Sequence, residues 1–214
     1  MIYSKYNMDN HLKSRIADLQ LQWKLIELIE MVGNKYFDKY TLCTNAASNG
    51  HLEILKYAHK INTDTSESAY EWDFRTCTAA AENGHLECLK YIRENGCEWD
   101  SDTCAYAAGN GQLECLKYAR GVGQSPYDKS YGDNASETIC PWDYSVCYRA
   151  AKNGQLECLK WLHENGCPWN SDTCYVAAKN GHLECLKYAI KNGCPWDDDQ
   201  TIRVSSVKKL LQHT

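Results

Sequence analysis

The sequence predicts an all-α fold, a solenoid of short stacked helix pairs that forms a single domain over residues 1–214. Three observations carry this. First, the phrase NGQLECLKWLHENGCPW, Asn153–Trp169, returns as NGHLECLKYAIKNGCPW, Asn180–Trp196, at an offset of 27 residues. It also stands at Asn83–Trp99, with Glu98 in place of proline, and shorter forms begin at Asn49 and Asn110. Second, apolar residues recur in columns: Leu52, Leu86, Leu113, Leu156 and Leu183, then Leu55, Leu89, Leu116, Leu159 and Leu186, and Cys43, Cys77, Cys104, Cys147 and Cys174. Third, Asn-Gly or Gly punctuates each apolar segment at a fixed place. A short helix pair cannot bury both of its sides alone, so repetition of this fidelity calls for stacking.

Residues 1–15 are polar. Ile16–Val32 has helical apolar spacing through Leu19, Trp23, Ile26 and Ile29 and reads as part of an amino-terminal cap, residues 1–40. Five helix pairs follow within residues 41–193. They cover about Thr41–Lys60, Arg75–Asn95, Asp102–Arg120, Ser145–Asn165 and Asp172–Asn192. In the last of these, Asp172 is the expected helix cap, Asn180-Gly181 the turn, and Leu183, Cys185, Leu186, Ala189 and Ile190 the apolar side of the second helix. Gly193 ends that helix and Pro195 forbids its continuation. Trp196 is placed against neighbouring helices. Residues 194–214 read as a carboxy-terminal cap.

Two spacings depart from 27. Gly50 to Gly84 is 34 residues, and Gly111 to Gly154 is 43, so 16 residues are additional there. The longer insertion, residues 121–139, is rich in glycine, serine and acidic residues and is expected to project as an exposed loop. It is either a tolerated excursion or a partner contact through Tyr127 and Tyr131.

Composition narrows the function classes. With 28 acidic and 23 basic residues the net charge is -5, which gives nucleic acid no broad positive surface. No apolar run reaches the ~20 residues of a membrane span, so no stable membrane insertion is expected. Residues 1–15 lack the apolar core of a signal peptide. The 13 cysteines sit mainly in helical phrases among alanines and leucines, as buried thiols that act as small apolar side chains. This favours a reducing, intracellular, cytoplasmic setting.

In Asp102-Thr103-Cys104-Ala105-Tyr106-Ala107-Ala108-Gly109-Asn110-Gly111 the phrase resembles an ankyrin repeat. Asp102 falls at the family's helix-capping threonine, Thr103 at its proline, Cys104 at its first core leucine, and Ala107-Ala108 and Gly111 at its alanine pair and glycine. Thr41, Arg75, Ser145 and Asp172 share the position of Asp102. Gly96, Gly166 and Gly193 match the glycine that closes the second helix. The departure is length: 27 residues leave little room for a projecting hairpin, and the GCPW junction followed by Asp or Asn replaces it. This compact form is similar to repeats of large DNA viruses of amoebae and of some protists, which would place the chain in a host-cell cytoplasm.

The resemblance implies recognition through an inner face built from the first helices and their approaches. Variable residues there nominate Phe74, Tyr106, Tyr144, Tyr148, Arg149 and Tyr175 as protein-binding candidates. The competing reading is that the tyrosines bridge scaffold units. Lys152 with Lys179, and Lys208 with Lys209, are basic pairs suited to an acidic patch, whereas the recurring Glu87/Lys90, Glu114/Lys117, Glu157/Lys160 and Glu184/Lys187 columns read as a solvated outer surface.

No metal, cofactor or catalytic constellation is expected. The cysteines serve different layers, and Gln112 and Gln155 interrupt the column His51, His85, His182. No phosphate-binding glycine loop or activated nucleophile is specified. The expected function is an intracellular protein-binding scaffold or adaptor for a protein or peptide. The alternative is a structural module that self-associates into a homo-oligomer through cap or insertion surfaces.

Overall fold

The computed structural model describes residues 21–24, 26–27, 39–64, 72–121 and 139–196. They form a stack of five helix pairs: α1 (Lys39–Ser48) with α2 (Leu52–Asp64), α3 (Phe74–Glu82) with α4 (Leu86–Glu94), α5 (Ser101–Gly109) with α6 (Leu113–Ala119), α7 (Tyr144–Lys152) with α8 (Leu156–Glu164), and α9 (Ser171–Lys179) with α10 (Leu183–Lys191). First helices pack on first helices and second on second, pair after pair. No strand occurs among the described residues, so the short junction does replace a hairpin. The fold is an all-helical solenoid.

Local sequence explains each boundary. Every first helix ends in Asn-Gly, and the chain closes with two crossed bonds. At α3 the Gly84 amide donates to the Ala81 carbonyl at 3.3 Å and the His85 amide to Ala80 at 2.9 Å, with Gly84 at φ +77°. This left-handed closure satisfies carbonyls that the helix end would otherwise leave open. The second helices α4, α8 and α10 end the same way, as where the Cys97 amide donates to Ile92 at 3.0 Å.

The amino-terminal caps differ from expectation. The cap is not the position of Asp102 and Asp172 but the junction residue two places earlier. Asp73 accepts from the Arg75 amide at 2.9 Å, Asp100 from Asp102 at 3.0 Å, and Asp143 from Ser145 at 2.8 Å. The physical reason is that Asp or Asn after the junction tryptophan has extended backbone, which aims its side chain at the open amides of the first turn. Asp102 and Asp172 already lie inside their helices. Asn170 occupies the cap of α9 without making the bond.

The core is one continuous column. Leu55, Leu89, Leu116 and Leu159 are fully buried, as are Cys43, Cys77, Cys104, Cys147 and Cys174. Leu86, Leu113 and Leu156 are half-buried and pack against this core, and Leu183 is half-buried. All 13 cysteines are free and buried. The junction thiols also hold the backbone: Cys97 donates to the Asp73 carbonyl at 3.1 Å, Cys140 to Asp100 at 2.9 Å, and Cys194 to Asn170 at 3.3 Å. Each satisfies the backbone of its own unit's cap. Cys77 in turn donates to the Cys97 sulfur at 3.0 Å.

The junction tryptophans lie among the second helices. Arg93 covers the Trp99 ring at 4.4 Å and Arg120 the Trp142 ring at 3.7 Å, while His163 stacks on Trp169 at 4.1 Å. The opposite neighbour is an aromatic of the next pair: Tyr91 for Trp72, Tyr118 for Trp99, Trp161 for Trp142 and Tyr188 for Trp169. An indole set between its own unit and the next adds apolar burial, and cation–π attraction where arginine covers it, at Trp99 and Trp142.

The longer insertion leaves the stack undisturbed. The Cys140 amide donates to the Ala119 carbonyl at 2.9 Å, and a Cβ on Gly121 would lie 3.8 Å from Ile139. The chain thus departs and re-enters at one point, and α5 packs on α7 as α3 packs on α5. Residues 122–138, with Tyr127 and Tyr131, lie outside the described residues. So do 1–20 and 197–214, which hold most of both expected caps and Lys208 and Lys209. Residues 21–24 and 26–27 are helical. Ile26 is buried there, and Gln22 accepts from the Glu53 amide at 3.3 Å, which seats this segment at the start of α2.

Candidate functional site

A groove of about 430 Å³ opens on the first-helix face where α5 meets α7. Its walls are Ala105, Tyr106, Gly109 and Asn110 from α5 and its end, Ser145, Tyr148, Arg149, Lys152 and Asn153 from α7 and its end, and Glu82 from α3. Three of the six nominated first-helix residues therefore converge: Tyr106, Tyr148 and Arg149.

Stacking explains the convergence. Tyr106 and Arg149 occupy the same column in successive pairs, so the guanidinium lies over the phenol ring, 4.4 Å from its centre. Its Nη2 also approaches Asp102 at 3.9 Å, a loose and half-exposed pairing worth little. Tyr148, one position earlier in α7, is half-buried and rests on the core, so it both bridges units and lines the groove.

Gly109 makes the opening. It is the only residue without a side chain in the column Ser48, Glu82, Gly109, Lys152, Lys179. A Cβ there would meet the Arg149 Cβ at 3.4 Å and the Asn153 Nδ2 at 3.5 Å. The Asn153 side-chain Nδ2 instead donates to the Gly109 carbonyl at 2.8 Å. Glu82, Gly109 and Asn153 are not among the residues that the sequence nominates. The usable signal is the column itself, in which one missing side chain between Glu82 and Lys152 leaves a gap.

The other candidates stand apart from this groove. Phe74 and Tyr144 are the first residues of α3 and α7 and are 44% and 51% exposed. Their expected place before a cap becomes a place just after one. Tyr175 repeats the Tyr148 position one pair later, with the Lys179 ammonium 5.7 Å from its ring.

Two suspected chemistries find ordinary explanations. The His/Gln column packs over the glycine of the preceding turn: His85 over Gly50, Gln112 over Gly84, Gln155 over Gly111 and His182 over Gly154. His85 Nε2 also bonds the Ser48 carbonyl at 3.0 Å. Five of the thiols are held protonated by burial, which pushes Cys43 and Cys88 up to about 12, and Cys115, Cys158 and Cys185 up to about 11. Such thiols are poor nucleophiles at neutral pH. No group of three or more His, Cys, Asp or Glu side chains is poised for a metal among the described residues.

Comparison with known proteins bears on the fold. No curated protein matches the chain. The human ASB11 ankyrin repeat domain, a crystal structure, is similar at 19% identity with a TM-score of 0.50, over 71% of this chain and 69% of that one. Residues 147–210 match the family model for ankyrin repeats (3 copies). Ankyrin repeats are thus detected in the carboxy-terminal part of a helix-pair solenoid whose fold resembles that of a known ankyrin repeat domain.

Proposed function

We propose that this chain is a protein-binding scaffold that receives a folded protein or peptide on its first-helix face. The observation that carries the reading is the groove between α5 and α7, where Tyr106, Tyr148 and Arg149 meet around an opening left by Gly109. Aromatic rings offer large contact area with few rotatable bonds, and arginine adds directed donors. Exposed Phe74 and Tyr144 extend the same face. The free, buried thiols support an intracellular, reducing setting, and an adaptor role in a host-cell cytoplasm follows only from the resemblance to viral repeats.

The test is partner capture followed by mutagenesis. The double variant Tyr148→Ala/Arg149→Ala should keep its helical signal and lose most of its affinity for a captured partner. Unchanged affinity in a folded double variant would count against this face.

A second reading rests on Leu21 and Trp23, which are 61% and 56% exposed on the amino-terminal helical segment. In that reading the chain self-associates there. Sedimentation across a concentration series would show a mass that rises for the natural chain and not for Trp23→Glu.

A further inference from the structure

We infer that the first-helix groove is selective for an extended acidic peptide, whose carboxylates engage Arg149, Lys152 and Lys179. This rests on the proposed first-helix reading and specifies the chemistry of the partner.

One recurring lysine of the second helices is held locally, whereas two lysines at a recurring place of the first helices are not. On the second helices Lys56, Lys90, Lys117, Lys160 and Lys187 are each tied to the glutamate three residues earlier at 2.8–3.0 Å. On the first helices Arg75 is held by Asp73 at 2.7 Å, but the cations of α7 and α9 are not so held. Lys152 and Lys179 make no ion pair or hydrogen bond with any described residue, and Lys179 has only the Tyr175 ring. Arg149 has only the 3.9 Å approach of Asp102 and the Tyr106 ring. A chain of net charge -5 therefore keeps two unpaired lysines and one loosely paired arginine on its first helices.

Position does not demand them. Lys152 and Lys179 end their helices, where a cation is mildly favoured. Yet the same place holds Ser48, Glu82 and Gly109 in the other pairs, and those helices form equally well. The column runs from acidic at Glu82, through the gap at Gly109, to basic at Lys152 and Lys179. A bound segment is thereby oriented, with its carboxylates toward α7 and α9 and its uncharged end toward α3.

Spacing favours an extended segment. Packed helices lie about 10 Å apart, and an extended peptide advances about 3.3 Å per residue. Carboxylates about three residues apart can therefore reach Lys152 and Lys179 together. The groove volume of about 430 Å³, with Tyr106 and Tyr148 on its walls, receives a side chain from the residues beside them.

The experiment uses the full chain and three fluorescein-labelled peptides of about twelve residues. Each carries one central tyrosine in an alanine-serine background, and every third position is Glu, Gln or Lys. The Glu peptide should bind, about tenfold or more tighter than the Gln peptide, and weaken as salt rises from about 50 to about 300 mM. The exposed double variant Lys152→Glu/Lys179→Glu should lose about tenfold or more, with an unchanged thermal melt, while Lys187→Glu on the opposite helix should bind like the natural chain. Equal binding of Glu and Gln peptides, no detectable binding of the Glu peptide, an unaltered affinity in the double variant, or tighter binding of an oligouridine each overturns the inference. The first-helix reading is judged separately by Tyr148→Ala/Arg149→Ala against a captured protein. Loss of that protein together with indifference to Glu or Gln would leave the face in place and remove only its acidic selectivity.

Discussion

The side-chain amide of Asn153 reaches back 44 positions in sequence to the carbonyl of Gly109, 2.8 Å away. This bond fastens α7 to α5 across the longer insertion, beside the groove. Its equivalent Asn110 bonds only within its own unit, to Tyr106 at 3.0 Å. Asn153→Ala should therefore destabilise the fold by about 1–2 kcal/mol, and more than Asn110→Ala. Urea denaturation of the two variants checks this, and equal losses would deny the cross-unit bond any part in stability.

Glycines of equal φ should not be equally replaceable. Gly111 and Gly166 have φ of +75° and +79°. A Cβ on Gly111 would sit 2.5 Å from the Gln155 side-chain oxygen, whereas one on Gly166 meets nothing within 4 Å. Both alanine variants bear the left-handed backbone cost, about 1–2 kcal/mol. Only Gly111→Ala must also move the Gln155 side chain of the next pair. Its melting temperature should fall further, and the gap should narrow in Gly111→Ala/Gln155→Ala.

One cap can be improved. Asp100-Ser101-Asp102-Thr103-Cys104 and Asn170-Ser171-Asp172-Thr173-Cys174 differ only at the first residue. Asp100 accepts from two amides of its helix, whereas Asn170 makes no capping bond and leaves its Oδ1 buried without a partner among the described residues. Asn170→Asp should raise stability by about 0.5–1 kcal/mol. A drop would show that the like charge of Asp172 outweighs the cap.

Alkaline pH should loosen the stack through its thiols. Burial raises five of them from about 9 in the ordinary range to about 11 or 12. The folded chain therefore holds protons that the unfolded chain releases above pH ~9. Stability is fully present below that pH and is lost as pH rises through the folded values. Tyr91 and Tyr188, also raised by burial, act in the same direction at higher pH. Denaturation midpoints should be level from about pH 7 to about pH 8.5 and then fall. A level profile to pH ~10.5 would contradict burial as the force that holds these protons.

The solenoid was legible because its determinants are periodic. Leu116 and Leu159 are buried for the same reason at the same place, so one column of letters reports one environment. Capping preference points to Asp172 and the family correspondence to Asp102, whereas capping depends on backbone angle. Asp100, not Asp102, is extended, and no letter records that. The groove was half legible. Tyr106 and Arg149 were visible as variable residues in one column, but their stacking is a property of adjacent units. Glu82, Gly109 and Asn153 entered the site only once the units were set side by side.

The joined ends of the insertion, Gly121 and Ile139, have a consequence for how such a chain can change. Because departure and return coincide, the length of sequence spliced there is decoupled from the register of everything downstream. Evolution, or a protein engineer, can lengthen, shorten or swap that passage as cargo while the helices on either side keep their neighbours. The junction between third and fourth pairs is therefore the natural grafting point of this molecule.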